Sequence, residues 1–140
     1  MEEKVYKYSG YKSRGGAQSM RPLILAKVAS KYGTENLMCL IDSGSDHTLI
    51  DAEYAEVLGI DLRQCKKLDM GGVIGDEVQA SIAEIRMEFD TFDEIFTIQA
   101  KFVAGMSTDV ILGQSDFFEL FKVRFERKRH RFCLIREASI

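Results

Sequence analysis

The sequence predicts an all-β domain, a small barrel or sandwich with one or two short helices, on three observations. Two stretches alternate cleanly: Ile85, Met87 and Phe89 with Glu84, Arg86 and Glu88, then Phe96, Ile98, Ala100 and Phe102 with Thr97, Gln99 and Lys101. Period-two alternation is the pattern of half-buried strands. Two short apolar runs, residues 37–41 and 110–112, stop abruptly at Asp42 and Gly113, as buried strands do where they deliver a loop. Turn residues separate these runs at short intervals.

In chain order, residues 1–20 carry Tyr6, Tyr8 and Tyr11 among lysines with weak periodicity. They read as an N-terminal arm, either mobile, a propeptide or a terminal strand, ahead of a domain spanning 21–140. Residues 23–29 form a strand, residues 32–36 a turn, and residues 37–41 a buried strand. Residues 51–58 read as a short helix, because Asp51 suits an N-cap and Gly59 a C-terminal position, with Ala52, Ala55 and Leu58 on one face. Residues 66–79 hold Gly71, Gly72 and Gly75 between apolar flanks and read as a hairpin with a flexible tip. Residues 91–94 join the two alternating strands. Ser115 is placed to cap a brief helix through Leu120. Phe121, Val123 and Phe125 alternate again, and Phe132 and Leu134 complete a last hairpin.

Composition narrows the function classes. A chain of 140 residues is one domain and buries enough surface to fold without staples. Nineteen Lys and Arg face 22 Asp and Glu, a net charge of −3, which argues against nucleic acid as the partner of the whole domain. Hydrophobic residues at 46% exclude disorder, and a single proline excludes Pro-rich ligand tracts. Three cysteines with no Cys-x-x-Cys pair, and only two histidines, make a Cys/His zinc site unexpected. The thiols read as reduced, with Cys39 and Cys133 in the core. No signal-peptide pattern opens the chain and no run approaches the roughly 18 apolar residues of a membrane helix. The expectation is a soluble cytoplasmic protein with no membrane partner.

The informative segment is residues 38–50. A hydrophobic strand carries Asp42 into a turn containing Ser43, Gly44 and Ser45. An acid at the end of a buried strand is costly unless it is hydrogen-bonded or chemically used. Backbone N–H groups of such a turn can hold the carboxylate in place.

Here the chain resembles the single-domain, retroviral-type (retropepsin-like) aspartic proteases, and most resembles their cellular and bacterial members. Ile41-Asp42-Ser43-Gly44-Ser45 matches their hydrophobic-Asp-Thr/Ser-Gly-Ala/Ser motif. Ile111-Leu112-Gly113 matches their second signature, two hydrophobics and a glycine before a short helix. Met70-Gly71-Gly72-Val73-Ile74-Gly75 falls where their flap hairpin lies. The resemblance spans about residues 21–136.

The resemblance implies a closed barrel acting as a homodimer, with one Asp42 from each subunit forming the catalytic pair. It implies an endopeptidase that hydrolyses an extended peptide by direct attack of water, with no cofactor and no metal. Ser43, Gly44 and Ser45 would build the active-site loop. Asp46, His47, Met70, Gly71, Gly72 and Val73 would contact substrate. Ile111, Leu112 and Gly113 would form the second signature. Two departures stand out: Gln114 occupies the usual Arg position of retroviral members, and His47 replaces a more usual small or acidic residue. A module of the same fold that binds peptide or dimerises without cutting is the alternative.

Other motifs are weaker. Asp42, Asp46 and Asp51 hint at a calcium loop, but His47 stands where that loop requires glycine. Ser43 and Ser45 lack the Gly-x-Ser-x-Gly context of a serine nucleophile. The run Arg127-Lys128-Arg129-His130-Arg131 lies between two alternating strands and reads as a solvated hairpin tip rather than a nucleic-acid site, with a membrane or acidic-partner role left open.

Overall fold

The alternating sequences do form strands, and six strands close into a barrel. The structure is a computed structural model that describes residues 2–12, 16, 18–71 and 78–136. Its barrel strands are β4 (Leu23–Ala29), β5 (Thr34–Ile41), β6 (Leu49–Asp51), β8 (Val78–Phe89), β9 (Ile95–Val103) and β10 (Val110–Leu112). They run in the order β4-β5-β10-β6-β9-β8, and β8 pairs back onto β4 to close the ring. Closure removes the exposed edges that an open sheet would leave. Among the described residues β7 (Lys66–Met70) pairs only with β8.

Register follows the hydrophobic pattern. In the β8–β9 pair Ile85 faces Ile98 and Met87 faces Phe96, so both apolar sets point inward together. The interior is filled with aromatic rings. Phe89 meets Phe96, Phe117 and Phe121 at centroid distances of 5.9, 5.4 and 5.7 Å. Each such ring contributes about 1.5–3 kcal/mol by burial. Two of them, Phe117 and Phe121, flank the single turn of helix α1 (Phe117–Leu120) and bring its buried face onto Phe89.

A second sheet joins the first and last described strands, with β1 (Glu2–Lys7), β12 (Arg131–Arg136) and β11 (Lys122–Glu126) in the order β1-β12-β11. Tyr6 stacks on Phe132 at 5.2 Å, and Tyr8 is buried in the core. The arm read from residues 1–20 thus contributes a strand and core aromatics. Its remaining described part forms the hairpin β2 (Ser9–Lys12) and β3 (Gln18–Arg21).

Three local readings change. Residues 51–58 are not a helix: Asp51 ends strand β6, and only Ala52–Tyr54 makes a 3-10 turn. Asp51 still caps that turn, accepting the Glu53 N–H at 3.1 Å, and Gly59 adopts a positive φ of 68°. The cap signal is satisfied by this one turn, and the chain continues in mixed turns rather than a regular helix, with Leu58 N–H donating to the Tyr54 carbonyl at 3.1 Å, Gly59 N–H to the Glu56 carbonyl at 2.9 Å and Ile60 N–H to the Ala55 carbonyl at 2.9 Å. The cap of α1 is Asp116, one residue beyond Ser115. The turn at residues 32–36 is shorter than read, because β5 already begins at Thr34.

Cys39 and Cys133 are buried free thiols. Burial raises the pKa of both, with Glu3 bonded to Cys133 adding to its shift. Among the described residues, no helix is long and apolar enough to cross a membrane.

Candidate active site

Two adjacent strands of the barrel, β5 and β10, run parallel and release their chains at the same end. Leu112 pairs with Ile41, the last residues of the two strands. Asp42 follows Ile41 and Gly113 follows Leu112, so the two signatures of the sequence meet in space. β6 pairs antiparallel with β10 on its other side, and so brings the far end of the Asp42 loop back to the same place.

The loop is held by hydrogen bonds that its own residues supply. Asp42 N–H donates to the Leu112 carbonyl at 3.0 Å, which continues the ladder one step past the strand. The Asp42 carboxylate accepts the Gly44 N–H at 2.9 Å through Oδ1. Ser45 N–H donates to the Asp42 carbonyl at 3.2 Å, closing a turn, and Ser45 Oγ donates to the His47 carbonyl at 2.8 Å. Asp42 is only half-buried, and Ser43 and Gly44 are exposed. The carboxylate therefore has one oxygen tied to backbone while the residue stays open to solvent.

The second signature acts as the brace. Gln114 N–H donates to the Ser45 carbonyl at 2.8 Å and Ser115 N–H to the Asp46 carbonyl at 3.0 Å. The Gln114 side-chain amide donates to the Ser43 carbonyl at 2.7 Å. Gln114, noted in the sequence for what it replaces, thus spans both motifs. Gly113 is buried against the loop: a Cβ there would collide with the His47 carbonyl and come within 2.6 Å of the Ser45 carbonyl.

Thr48 completes the brace and was not singled out in the sequence. It is fully buried, and its hydroxyl donates to the Ser115 carbonyl at 3.2 Å and lies 3.4 Å from the Gly113 N–H. The available signal was a lone hydroxyl leading an apolar pair, Leu49-Ile50. Thr48→Val keeps the shape and strips these bonds, so we expect a loss of about 1–3 kcal/mol in urea denaturation.

The chain then turns sharply. Asp116 has φ 73° and ψ −63°, and Phe117 N–H donates to the Ser115 carbonyl at 3.0 Å. These values define a positive-φ γ-turn, a rare and strained conformation. The Asp116 N–H donates to Glu119 Oε1 at 3.3 Å and holds it at the start of α1. Burial pushes the Asp116 carboxyl above its ordinary range, while Lys101 and His47 pull it back. His47 is half-buried, with Nδ1 enclosed and without a hydrogen-bond partner among the described residues.

Met70 ends β7 and packs with Leu49 and Ile111 against Ala80, Val103 and Met106. This apolar cluster joins the base of the β7–β8 hairpin to the strands that flank the Asp42 loop. Gly71 is exposed at the hairpin end; Gly72 and Val73 lie outside the described residues. Asp46 is exposed, with only its backbone in the brace. Among the described residues no group of three or more His, Cys, Asp or Glu is placed to hold a metal ion.

No protein-family model matches the sequence, and no curated protein matches it. Solved structures do match. A retropepsin-like aspartic protease from Rickettsia conorii superposes with a TM-score of 0.57 at 18% identity, over 95% of this chain and 92% of that one. EIAV protease complexed with the inhibitor HBY-793 superposes with a TM-score of 0.47 at 16% identity, over 71% of this chain and 88% of that one. At such identities the likeness is one of fold, and the first match spans nearly both chains. The closed barrel with its paired β5 and β10 loops is the retropepsin-like fold.

Proposed function

We propose that this protein is a homodimeric aspartic endopeptidase, with Asp42 of each copy as its catalytic acid or base. The observation that carries the reading is the Asp42 loop: a carboxylate held by a backbone amide, left accessible, and braced by a second turn through Gly113, Gln114 and Ser115. The fold it shares with a retropepsin-like aspartic protease supports the same reading.

One chain supplies one such acid, so two copies related by a two-fold axis are needed. Two carboxylates in contact cannot both ionise cheaply, and they share a proton. The ionised member takes a proton from a water held between them while the other donates its proton to the scissile carbonyl oxygen. The water oxygen bonds to the carbonyl carbon and gives a tetrahedral diol. Proton transfer to the amide nitrogen then breaks the C–N bond and releases a carboxylic acid and an amine. Ser43 of each copy braces the paired loops, and Asp46 and His47 contact the substrate on either side of the cut. Met70 and Gly71, at the end of β7, contact the same extended peptide.

The test is digestion of a complex peptide library from acidic to neutral pH at several protein concentrations, read by mass spectrometry. The expected result is a bell-shaped pH profile, with specific activity rising as protein concentration drives dimerisation. Sedimentation showing a monomer at every concentration, together with no cuts, would leave a peptide-binding module of the same fold.

A further inference from the structure

The basic run of residues 127–131 does not stand alone at a solvated tip. The tip folds back onto the N-terminal strands. Tyr8 N–H donates to the His130 carbonyl, and the Arg127 guanidinium donates to the Met20 carbonyl at 2.9 Å. Between these ties lies a groove of about 530 Å³, walled by β1 and Met20 on one side and by Arg129, His130 and Arg131 on the other. We propose that this groove binds an acidic peptide segment of a partner or substrate protein, in extended form, away from the Asp42 loop.

Charge argues first. Lys7, Arg129 and Arg131 line the groove, Arg127 ties it to Met20, Lys128 adjoins them in the chain, and the one acid beside them in that run, Glu126, pairs with Arg131. Lys7 and Lys128 have no carboxylate partner among the described residues. The whole chain carries 19 cations and 22 acids, so the remainder holds 14 against 21. Such an asymmetry steers an anionic segment to this end.

The floor argues for a peptide. Val5 is 61% exposed and Met20 37% exposed, and they give aliphatic side chains a place to rest. β1 is already paired with β12 along the wall that carries Arg131, so an extended peptide meets the groove through its side chains, aliphatic ones on Val5 and Met20 and acidic ones on the cations. A nucleic acid would want open rings to stack on. Tyr8 is buried against His130 and Phe132, and Tyr6 is stacked on Phe132 with its hydroxyl bonded to the Asp90 carbonyl. A second copy would set cations against cations.

The test uses the full chain carrying Asp42→Asn, so that no probe is cut, with wild type beside it. Fluorescence anisotropy follows a fluorescein-labelled peptide alternating Glu and Val. Saturable binding at low salt is expected, equal in both proteins and weakened about ten-fold at physiological salt. The combined variant K7Q, K128Q and R129Q should weaken it by a further ten-fold or so at low salt, with thermal stability unchanged. Unchanged affinity in that variant overturns the proposal, as does failure of the peptide to bind at low salt. Tighter binding of a labelled thymidine oligonucleotide would assign the groove to nucleic acid instead. Self-association that the triple substitution abolishes would assign it to a second copy. Equal binding by wild type and Asp42→Asn keeps these outcomes separate from those of the protease assignment.

Discussion

Asp42→Asn should reduce peptide cleavage by about 10⁴-fold or more while leaving the fold in place. In a two-copy site the substitution removes both carboxylates, and with them the group that accepts the water proton and the group that donates to the carbonyl. General acid–base catalysis contributes about 10²–10⁴-fold, and neither role survives in an amide. The structural cost is small for a specific reason. Asparagine keeps an oxygen that can accept the Gly44 N–H, now accepted by Asp42 Oδ1 at 2.9 Å. The Asp42 N–H bond to the Leu112 carbonyl belongs to the backbone and is untouched. We expect a melting temperature within about 2 °C of the parent, since half-exposed loop substitutions of this kind stay within about 0.5 kcal/mol. The measurement pairs library digestion with thermal unfolding and sedimentation. Cutting at the parent rate by a folded Asp42→Asn protein would remove Asp42 from the mechanism.

Gly113→Ala should damage stability and activity together. The added methyl collides with the His47 carbonyl and sits 2.6 Å from that of Ser45, and both are backbone atoms that cannot rotate away. Relief requires the Asp42 loop to separate from the second signature, which stretches the Gln114–Ser45 and Ser115–Asp46 bonds. Overpacking of this kind costs about 1–3 kcal/mol, read as a shift in the urea midpoint. Displacing the acid by an ångström costs about 10²-fold in rate. Asp42→Asn and Gly113→Ala should therefore differ in kind: the first inactivates a stable protein, the second weakens a protein that still carries its acid. Parent-like stability in Gly113→Ala would mean that the brace is looser than its hydrogen bonds imply.

How much of this was legible depends on what each element needed. β4 appears over the same residues the sequence marks, and β8 and β9 carry the alternations that announce them. Those strands bury one face each, so pattern and structure are the same fact. β6 has three residues, too few to show a period, and Asp51 carries a helix-cap signal that is satisfied by a single 3-10 turn. The two signatures at residues 41–45 and 111–113 were readable as motifs. Their union was not, because it rests on strand pairing and on the buried Thr48 hydroxyl, which spans 67 positions to Ser115. The tip at residues 127–131 was readable as a turn. Its partnership with Lys7 and Met20 was hidden by a sequence separation of over 100 residues.

The placement of β10 between β5 and β6 orders events in time. Strands β5 and β6 are finished early in synthesis, yet the strand that separates them is residues 110–112. Until that strand leaves the ribosome, the barrel has a gap where it should be closed, and the loop between β5 and β6 has no brace. The bonds from Gln114 and Ser115 come later still. A nascent or truncated chain that stops short of this point holds Asp42 in an unformed loop, and loop-closure entropy must be met before the contacts repay it. The acid is therefore set in place only when nearly the whole described domain has been made, and the proposed activity waits for that last brace.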